Sequence, residues 1–306
     1  MNQPPSPLRL GLDLGGTKIA AALLDARGTL LWSQRMPTPQ GDYQGIIVTL
    51  IAMRDAARQV IPDAELTVGV CTPGAISPAT GCIRNANSVV LNGKPLLTDL
   101  QQAMGCPIRM ANDADCFALS EATDGSAQGA SNAFGVILGT GTGGGIVIRG
   151  QLLQGCNAIA GEWGHNPLPW PDADEYPGSP CYCGRRGCIE TFLSGPALAN
   201  HHSQSYGGSM SAQEIAEAAI RGKNDCLATM ACYCERLAKA LASVINLLDP
   251  EVIVLGGGLS NIAMLYDAVP QRWGRYIFSD SVATRLLPPR HGDASGVRGA
   301  AALWNE

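Results

Sequence analysis

The chain reads as a two-domain α/β protein that holds nucleotide phosphates between its halves. Three observations carry this reading. Its 306 residues suffice for two domains of ordinary size, each with its own core. Strand-like runs bounded by glycine alternate with helical patterns along most of the length. Two glycine–threonine hairpins, Gly15-Gly16-Thr17 and Gly139-Thr140-Gly141-Thr142-Gly143-Gly144, each stand near the start of a domain, which marks a duplicated architecture.

Composition narrows the function classes. A hydrophobic fraction of 46% with 15% charged residues describes a soluble globular chain. The net charge of −5 argues against nucleic acid as a partner, since that surface needs clustered Lys and Arg. Residues 1–7 lack a basic region followed by an apolar run, so no secretory signal is expected. The apolar stretch 244–259 is broken by Asp249, Pro250 and three glycines, too polar to span a bilayer. Eleven cysteines without such a signal point to a reducing compartment, so a cytoplasmic location is expected.

In chain order, residues 8–24 read as strand, tight glycine turn, strand, with a third strand near 29–35. A P-loop would need Gly-Lys-Ser/Thr opening a helix; here Thr17 precedes Lys18 and a strand follows. The turn still offers free backbone N–H groups, a hydroxyl and a cation, which suit a phosphate. Asp13 at the strand end suits hydrated magnesium. A plain Gly-Gly hairpin beside an incidental aspartate is the competing reading. A helical pattern over 43–59 and a strand over 66–71 come next. The long loop 75–95 follows, in which Asn85 and Asn87 suit either sugar hydroxyls or turn chemistry.

A strand at 108–111 then runs into Asn112-Asp113 at a helix start. An aspartate there feels the positive end of the helix dipole and stays ionised, fit to accept a proton from a bound hydroxyl. Helix capping explains the same pair of letters. Strands at 134–138 and 145–148 flank the second glycine loop. Its letters fit G-x-G-x-x-G, but no helix follows, so it reads as a second phosphate hairpin. After residue 190 the chain turns helical. Leu227, Met230, Ala231, Cys234, Leu237, Ala238, Leu241, Ile245 and Leu248 keep helical spacing. Cys232 and Cys234 fall within that pattern and read as core. A buried strand at 251–255 ends in Gly256-Gly257-Gly258, where a planar adenine could approach the backbone. The tail 292–303 reads as a closing helix with a small-residue face.

The stretch 162–190 organises the rest. Cys181, Cys183 and Cys188, with His165 upstream, form four soft ligands of the kind a structural zinc prefers. Gly184 and Gly187 let the loop turn tightly. Four protein ligands leave no site for water, so the ion would shape the site and not act as a Lewis acid. It would pin Glu162 and Glu190 beside each other as hydroxyl-binding carboxylates.

Taken in order, Asp13-x-Gly15-Gly16-Thr17-Lys18, Asn112-Asp113, the 139–145 loop, Glu162-x-Gly-His165, Cys181-x-Cys183-Gly-x-x-Gly-Cys188-x-Glu190 and Gly256-Gly257-Gly258 resemble the ROK family. That family holds sugar kinases and sugar-responsive repressors with the two-domain actin/hexokinase/Hsp70-like (ribonuclease H-like) fold and an interdomain cleft. The resemblance covers nearly the whole chain from Leu8. It implies residues 1–122 plus 290–306 as one domain and 123–289 as the other. Asn85-Ala-Asn87-Ser88, Leu91-Asn-Gly, the 161–170 segment and His291-Gly-Asp-x-Ser-Gly look closest to bacterial fructokinases of the mannofructokinase type. The implied activity is ATP-dependent phosphorylation of fructose, with mannose also accepted; an N-acetylglucosamine or N-acetylmannosamine kinase is the alternative.

The roles implied are specific. Asp113 would deprotonate the primary sugar hydroxyl, and Asp13 would organise Mg²⁺. Gly11-Leu12-Asp13-Leu14-Gly15-Gly16-Thr17-Lys18, Gly139-Thr140-Gly141-Thr142-Gly143-Gly144-Gly145-Ile146 and Gly256-Gly257-Gly258 would hold ATP. Asn87, Asn112, Asp113, Glu162, His165 and Glu190 would bind the sugar, with His165, Cys181, Cys183 and Cys188 on zinc. The partners implied are a small sugar, ATP and a second copy of the chain. A repressor would carry a winged-helix DNA module before the Asp-x-Gly motif, and only seven residues precede the first strand. Asp115 departs from the family, where asparagine is expected; two positions from Asp113 on a helix, it should point elsewhere.

Overall fold

A computed structural model describes residues 7–60 and 62–305. Most of the leading segment read above for a secretory signal lies outside the described residues. The first half contains β1 (Leu8–Leu14), β2 (Lys18–Leu24), β3 (Leu30–Pro37), α1 (Tyr43–Val60), β4 (Leu66–Thr72), the short pair β5 (Ala75–Ile76) and β6 (Ile83–Arg84), α2 (Leu96–Met104) and β7 (Ile108–Asn112). Then follow α3 (Asp113–Asp124), β8 (Asn132–Leu138), β9 (Thr142–Ile148), β10 (Gln151–Leu152), α4 (Glu190–Leu193), α5 (Gly195–Tyr206), α6 (Ala212–Ile220), α7 (Asn224–Leu248), β11 (Val252–Gly256), α8 (Met264–Ala268), α9 (Pro270–Trp273), β12 (Arg285–Leu287) and α10 (Ser295–Ala302).

Duplication is visible in the sheets. The strand orders are β3-β2-β1-β4-β7 and β10-β9-β8-β11-β12. In each, the first strand pairs antiparallel with the second and parallel with the next crossover strand. Each sheet's opening hairpin therefore turns at one of the two glycine–threonine loops. The sheets face each other through two helices: α10 lies on β1, β2 and β4, α3 lies on β8 and β9, and the helices pack together. Glycine makes that crossing possible. A Cβ on Gly299 would fall 1.8 Å from the Cys116 carbonyl oxygen, and one on Gly69 would fall 1.8 Å from that of Ala300. Helix α3, in the stretch expected to belong with the first half, packs on β8 and β9 as well as on α10.

Each half buries its own core. Leu10, Leu12, Leu50 and Val70 are sealed in the first; Phe134, Val136, Leu237, Leu241 and Ile253 in the second. Each such side chain contributes about 1.5–3 kcal/mol by leaving water. The long helix α7 buries Met230, Cys234, Leu237, Ala238, Leu241 and Ile245 from the stripe its spacing predicted, while Leu227 and Ala231 stay exposed and Leu248 is half-buried. Asp249 ends it in the left-handed conformation, its N–H donating to the Ile245 carbonyl. Among the described residues no helix is long and apolar enough to cross a membrane.

The second glycine loop differs from expectation. Its turn is only Gly139-Thr140-Gly141, because β9 begins at Thr142 and Gly143, Gly144 and Gly145 pair with Ile137, Val136 and Gly135. These glycines admit neighbours. A Cβ on Gly144 would meet the Phe134 ring at 2.7 Å and Trp163 at 2.8 Å, and one on Gly145 would meet the Ala114 carbonyl oxygen at 2.5 Å.

Candidate active site

Between the halves lies a cleft of about 590 Å³, a size suited to a small molecule. At its floor β7 feeds α3. The Asn112 side chain caps the helix by accepting from the Asp115 N–H at 2.7 Å, which leaves its amide NH₂ free. Asp113 accepts the Ala114 N–H at 2.9 Å. Its carboxylate is reached from the cleft yet walled by protein, so burial pushes its pKa up, with the Ala114 N–H opposing. Capping and chemistry are therefore compatible: one residue serves the helix, the next faces the cleft.

Asp13 stands next to the end of β1, level with Cys71 on the adjacent strand β4. Burial pushes its carboxyl up, the Cys71 thiol's hydrogen bond opposes this, and the Asp113 charge adds to it. A Cβ on Gly296 would stand 2.5 Å from Asp13 Oδ2, so glycine at this position lets the start of α10 pack directly against the carboxylate. The first turn is braced by the segment after β3: Thr38 Oγ1 donates to the Gly15 carbonyl at 2.8 Å and Gln40 donates to that of Gly16. Gly16, Thr17 and Lys18 are exposed, and Lys18 Nζ lies 3.4 Å from Asp293. Gly11, Leu12 and Leu14 are buried within β1, away from the cleft.

The opposite wall is the second glycine loop with the stretch 162–190. Glu190 Oε2 accepts the Thr142 N–H at 2.9 Å, tying the carboxylate to the loop and leaving its other oxygen for a ligand. Trp163 is the anchor to which sequence reading assigned no role. Buried and edge-on to Phe134, it donates from Nε1 to the Gly143 carbonyl at 2.9 Å. It thereby fixes Glu162 and His165, which line the cleft with Asn85 and Asn87. Beyond Thr140 lies a mostly apolar cavity of about 650 Å³ bordered by Gly258, Leu259 and Ile262. Of the three glycines at 256–258 only Gly258 borders it, since Gly256 packs under the Phe117 ring and Gly257 under the Leu138 carbonyl. Gly145 and Ile146 lie inside β9, outside both cavities.

His165, Cys181, Cys183 and Cys188 converge, with all four donor atoms within 4.8 Å of one another. Cys183 and Cys188 Sγ are 3.6 Å apart, as are Cys181 Sγ and His165 Nδ1. A tetrahedron with Zn–S bonds of about 2.3 Å has edges of about 3.8 Å, so the donor set fits the ion. Gly184 and Gly187 take positive φ, 86° and 68°, as the tight loop requires. His165 Nε2 meets Tyr182 Oη at 2.9 Å, which fixes the ring as outer partners of metal ligands do. Both imidazole nitrogens are thus engaged, and a sugar hydroxyl would reach Nε2 only by replacing the exposed Tyr182.

Below this loop, Glu175 accepts from Arg236 at 2.7 Å and Lys239 at 3.0 Å, all three nearly sealed from solvent. Sequence reading missed this cluster; the signal was two cations set among the apolar positions of α7.

Comparison with known proteins agrees with this geometry. The chain matches the ROK family over residues 9–306. It is 38% identical over 298 residues to the N-acetyl-D-glucosamine kinase of Pectobacterium atrosepticum, covering 96% of this chain and 97% of that one. Among solved structures it is similar to the ROK hexokinase of Thermus thermophilus, at 30% identity with a TM-score of 0.84 over 97% of both chains. It is also similar to a ROK glucokinase of Streptomyces griseus in complex with glucose and AMPPNP, at 27% identity with a TM-score of 0.76, covering 97% of this chain and 98% of that one. The duplicated sheets, the cleft between them and the match along nearly the whole length lead to one conclusion: the chain belongs to the ROK family and has its two-domain sugar-kinase fold.

Proposed function

We propose that the protein is an ATP-dependent sugar kinase that phosphorylates the primary hydroxyl of a hexose, with N-acetyl-D-glucosamine as preferred acceptor. The observation that carries the chemistry is Asp113, a carboxylate at the floor of a cleft walled on one side by a glycine–threonine turn and on the other by its own half. It takes the hydroxyl proton as the oxygen attacks the γ-phosphorus and the bond to ADP breaks. Asn112 and Asn87 hold neighbouring hydroxyls, and Glu162 and Glu190 hold the far side of the ring. The two turns grip the phosphates, and the apolar cavity beside Gly258 takes the adenine. Asp13 would hold Mg²⁺, which neutralises charge on the transferring phosphates when bound. The Cys₃His site would hold zinc as a scaffold for Glu162 and Glu190. Closure of the halves excludes water, which otherwise competes as acceptor.

The acetamido sugar is favoured over fructose because the N-acetyl-D-glucosamine kinase described above aligns along nearly this whole chain. The fructokinase expectation rested on short asparagine- and glycine-containing segments that also serve as turns, and these relatives give it no support. We assign the enzyme to the cytoplasm on its eleven cysteines, which a reducing compartment keeps as thiols or metal ligands. We assign a homodimer on the exposed Leu247 and Phe278, to be checked by light scattering against twice the monomer mass. A coupled ADP-release assay over N-acetylglucosamine, N-acetylmannosamine, fructose, mannose and glucose tests the substrate. N-acetylglucosamine should lead by more than about tenfold in kcat/KM, ~1.4 kcal/mol in transition-state binding; an equal lead for fructose would overturn the assignment.

A further inference from the structure

The corner that presents Asp113 carries a second carboxyl that the chemistry above leaves unused. Asp115 lies two positions along α3, roughly 200° round the helix, and faces away from the cleft. Its Oδ1 is sealed from solvent with no hydrogen-bond partner. The side chain borders a separate cavity of about 370 Å³ between the halves, walled by Ile76 and Met110 from one side and Gln154 and Ala160 from the other. This chamber adjoins the cleft along Gly74, Ala75, Asn112 and Ala158, three of which have at most a methyl side chain.

The chemistry of the chamber is selective. Because Oδ1 is sealed and unpartnered, the charged form of this carboxyl is disfavoured, and the part of the side chain that borders the chamber is what a ligand would meet. Burial, then the nearby charges of Asp113 and Glu162, push the Asp115 carboxyl up to about 7, so near neutral pH it has a proton to donate. An anionic substituent would be repelled by those carboxylates. A neutral amide suits the space: its carbonyl accepts from the carboxyl and its alkyl end lies against Ile76, Met110 and Ala160. A plain hydroxyl would leave the chamber empty.

We propose that this chamber receives the acyl group of a 2-acylamido hexose, with the Asp115 carboxyl donating to the amide carbonyl, and that it sets the preference for acylated over plain hexoses. This rests on the acetamido-sugar reading above. The test is steady-state kinetics on glucose and on the N-acetyl, N-propanoyl and N-butanoyl glucosamines, using wild type, Asp115→Asn, Asp115→Leu and Ala160→Leu, with a melting curve for each variant. The wild type should use the N-propanoyl sugar nearly as well as the N-acetyl one, since the chamber has room. Asp115→Leu should lower the ratio of glucose KM to N-acetylglucosamine KM about tenfold. Asp115→Asn, still a donor, should hold that ratio within about threefold. Ala160→Leu should reject the N-butanoyl sugar first. Variants that shift both sugars by one factor, or shift neither, would overturn the chamber while the acetamido reading stands. A wild type that prefers an unacylated hexose would overturn both.

Discussion

Replacing Glu175 by glutamine tests whether the stretch 162–190 is held from beneath by charge. Glu175 has 4% of its side chain exposed, Arg236 8% and Lys239 2%. Asp172, the other partner of Lys239, is 70% exposed. The glutamine keeps the shape but leaves two buried cations facing a neutral amide. Removing one partner of a buried pair costs about 3–5 kcal/mol, and the solvated Asp172 offsets little of that. Burial pushes the Glu175 carboxyl up, yet the hydrogen bonds from Arg236 and Lys239 win and hold it below the usual carboxylate range. A depressed carboxylate stabilises the fold above its unfolded pKa, about 4.3, and that contribution is lost as pH falls through the folded value. The variant's deficit should therefore be full at pH 7 and shrink in acid. At about 2–4 °C per kcal/mol for a unit of this size, Tm should drop by roughly 6–20 °C at pH 7. Glu175 stands shortly before Cys181, so the same samples should lose zinc to a chelator faster. Scanning calorimetry at pH 7 and pH 4, with metal analysis, reads both effects. A Tm within about 2 °C of wild type at pH 7 refutes the argument.

Three further outcomes are expected. Asp113→Asn should keep sugar affinity within a few-fold by calorimetry and lose on the order of 10²–10⁴ in kcat; turnover within threefold of wild type removes Asp113 as the base. Because burial raises the Asp113 pKa and the ionised form is the active one, kcat/KM should fall in acid through a midpoint above the ordinary carboxylate range, and a midpoint at or below about 4 contradicts this. Cys183→Ser should lose stoichiometric zinc and weaken sugar binding while amide exchange in α1 and the β1–β4 sheet stays as in wild type; one zinc per chain retained by the variant counts against the four-ligand site.

What could be read along the chain was local chemistry. The Gly15–Thr17 turn, the Asn112 cap, the positive φ at Gly184 and Gly187, and the spacing of three cysteines each depend on a few adjacent residues, so the letters suffice. The apolar stripe of α7 was legible for the same reason, because helical period alone puts Met230, Leu237 and Leu241 on one face. Tertiary structure decided the rest. Gly143 and Gly144 look like turn residues but pair within β9, and at Gly144 the Phe134 ring and Trp163 approach too closely for any side chain. Gly256 resembles a nucleotide contact and instead makes room for the Phe117 ring. Arg236 and Lys239 are surface letters that became core only because Glu175 arrives from a distant loop to neutralise them. Asp115 owes its raised pKa to burial and to the charges of Asp113 and Glu162, and the chamber it borders to residues 154–160, which line the other side. Turn, cap and period are set by bonded neighbours, whereas burial, charge pairing and cavity shape are set by residues brought together from remote positions.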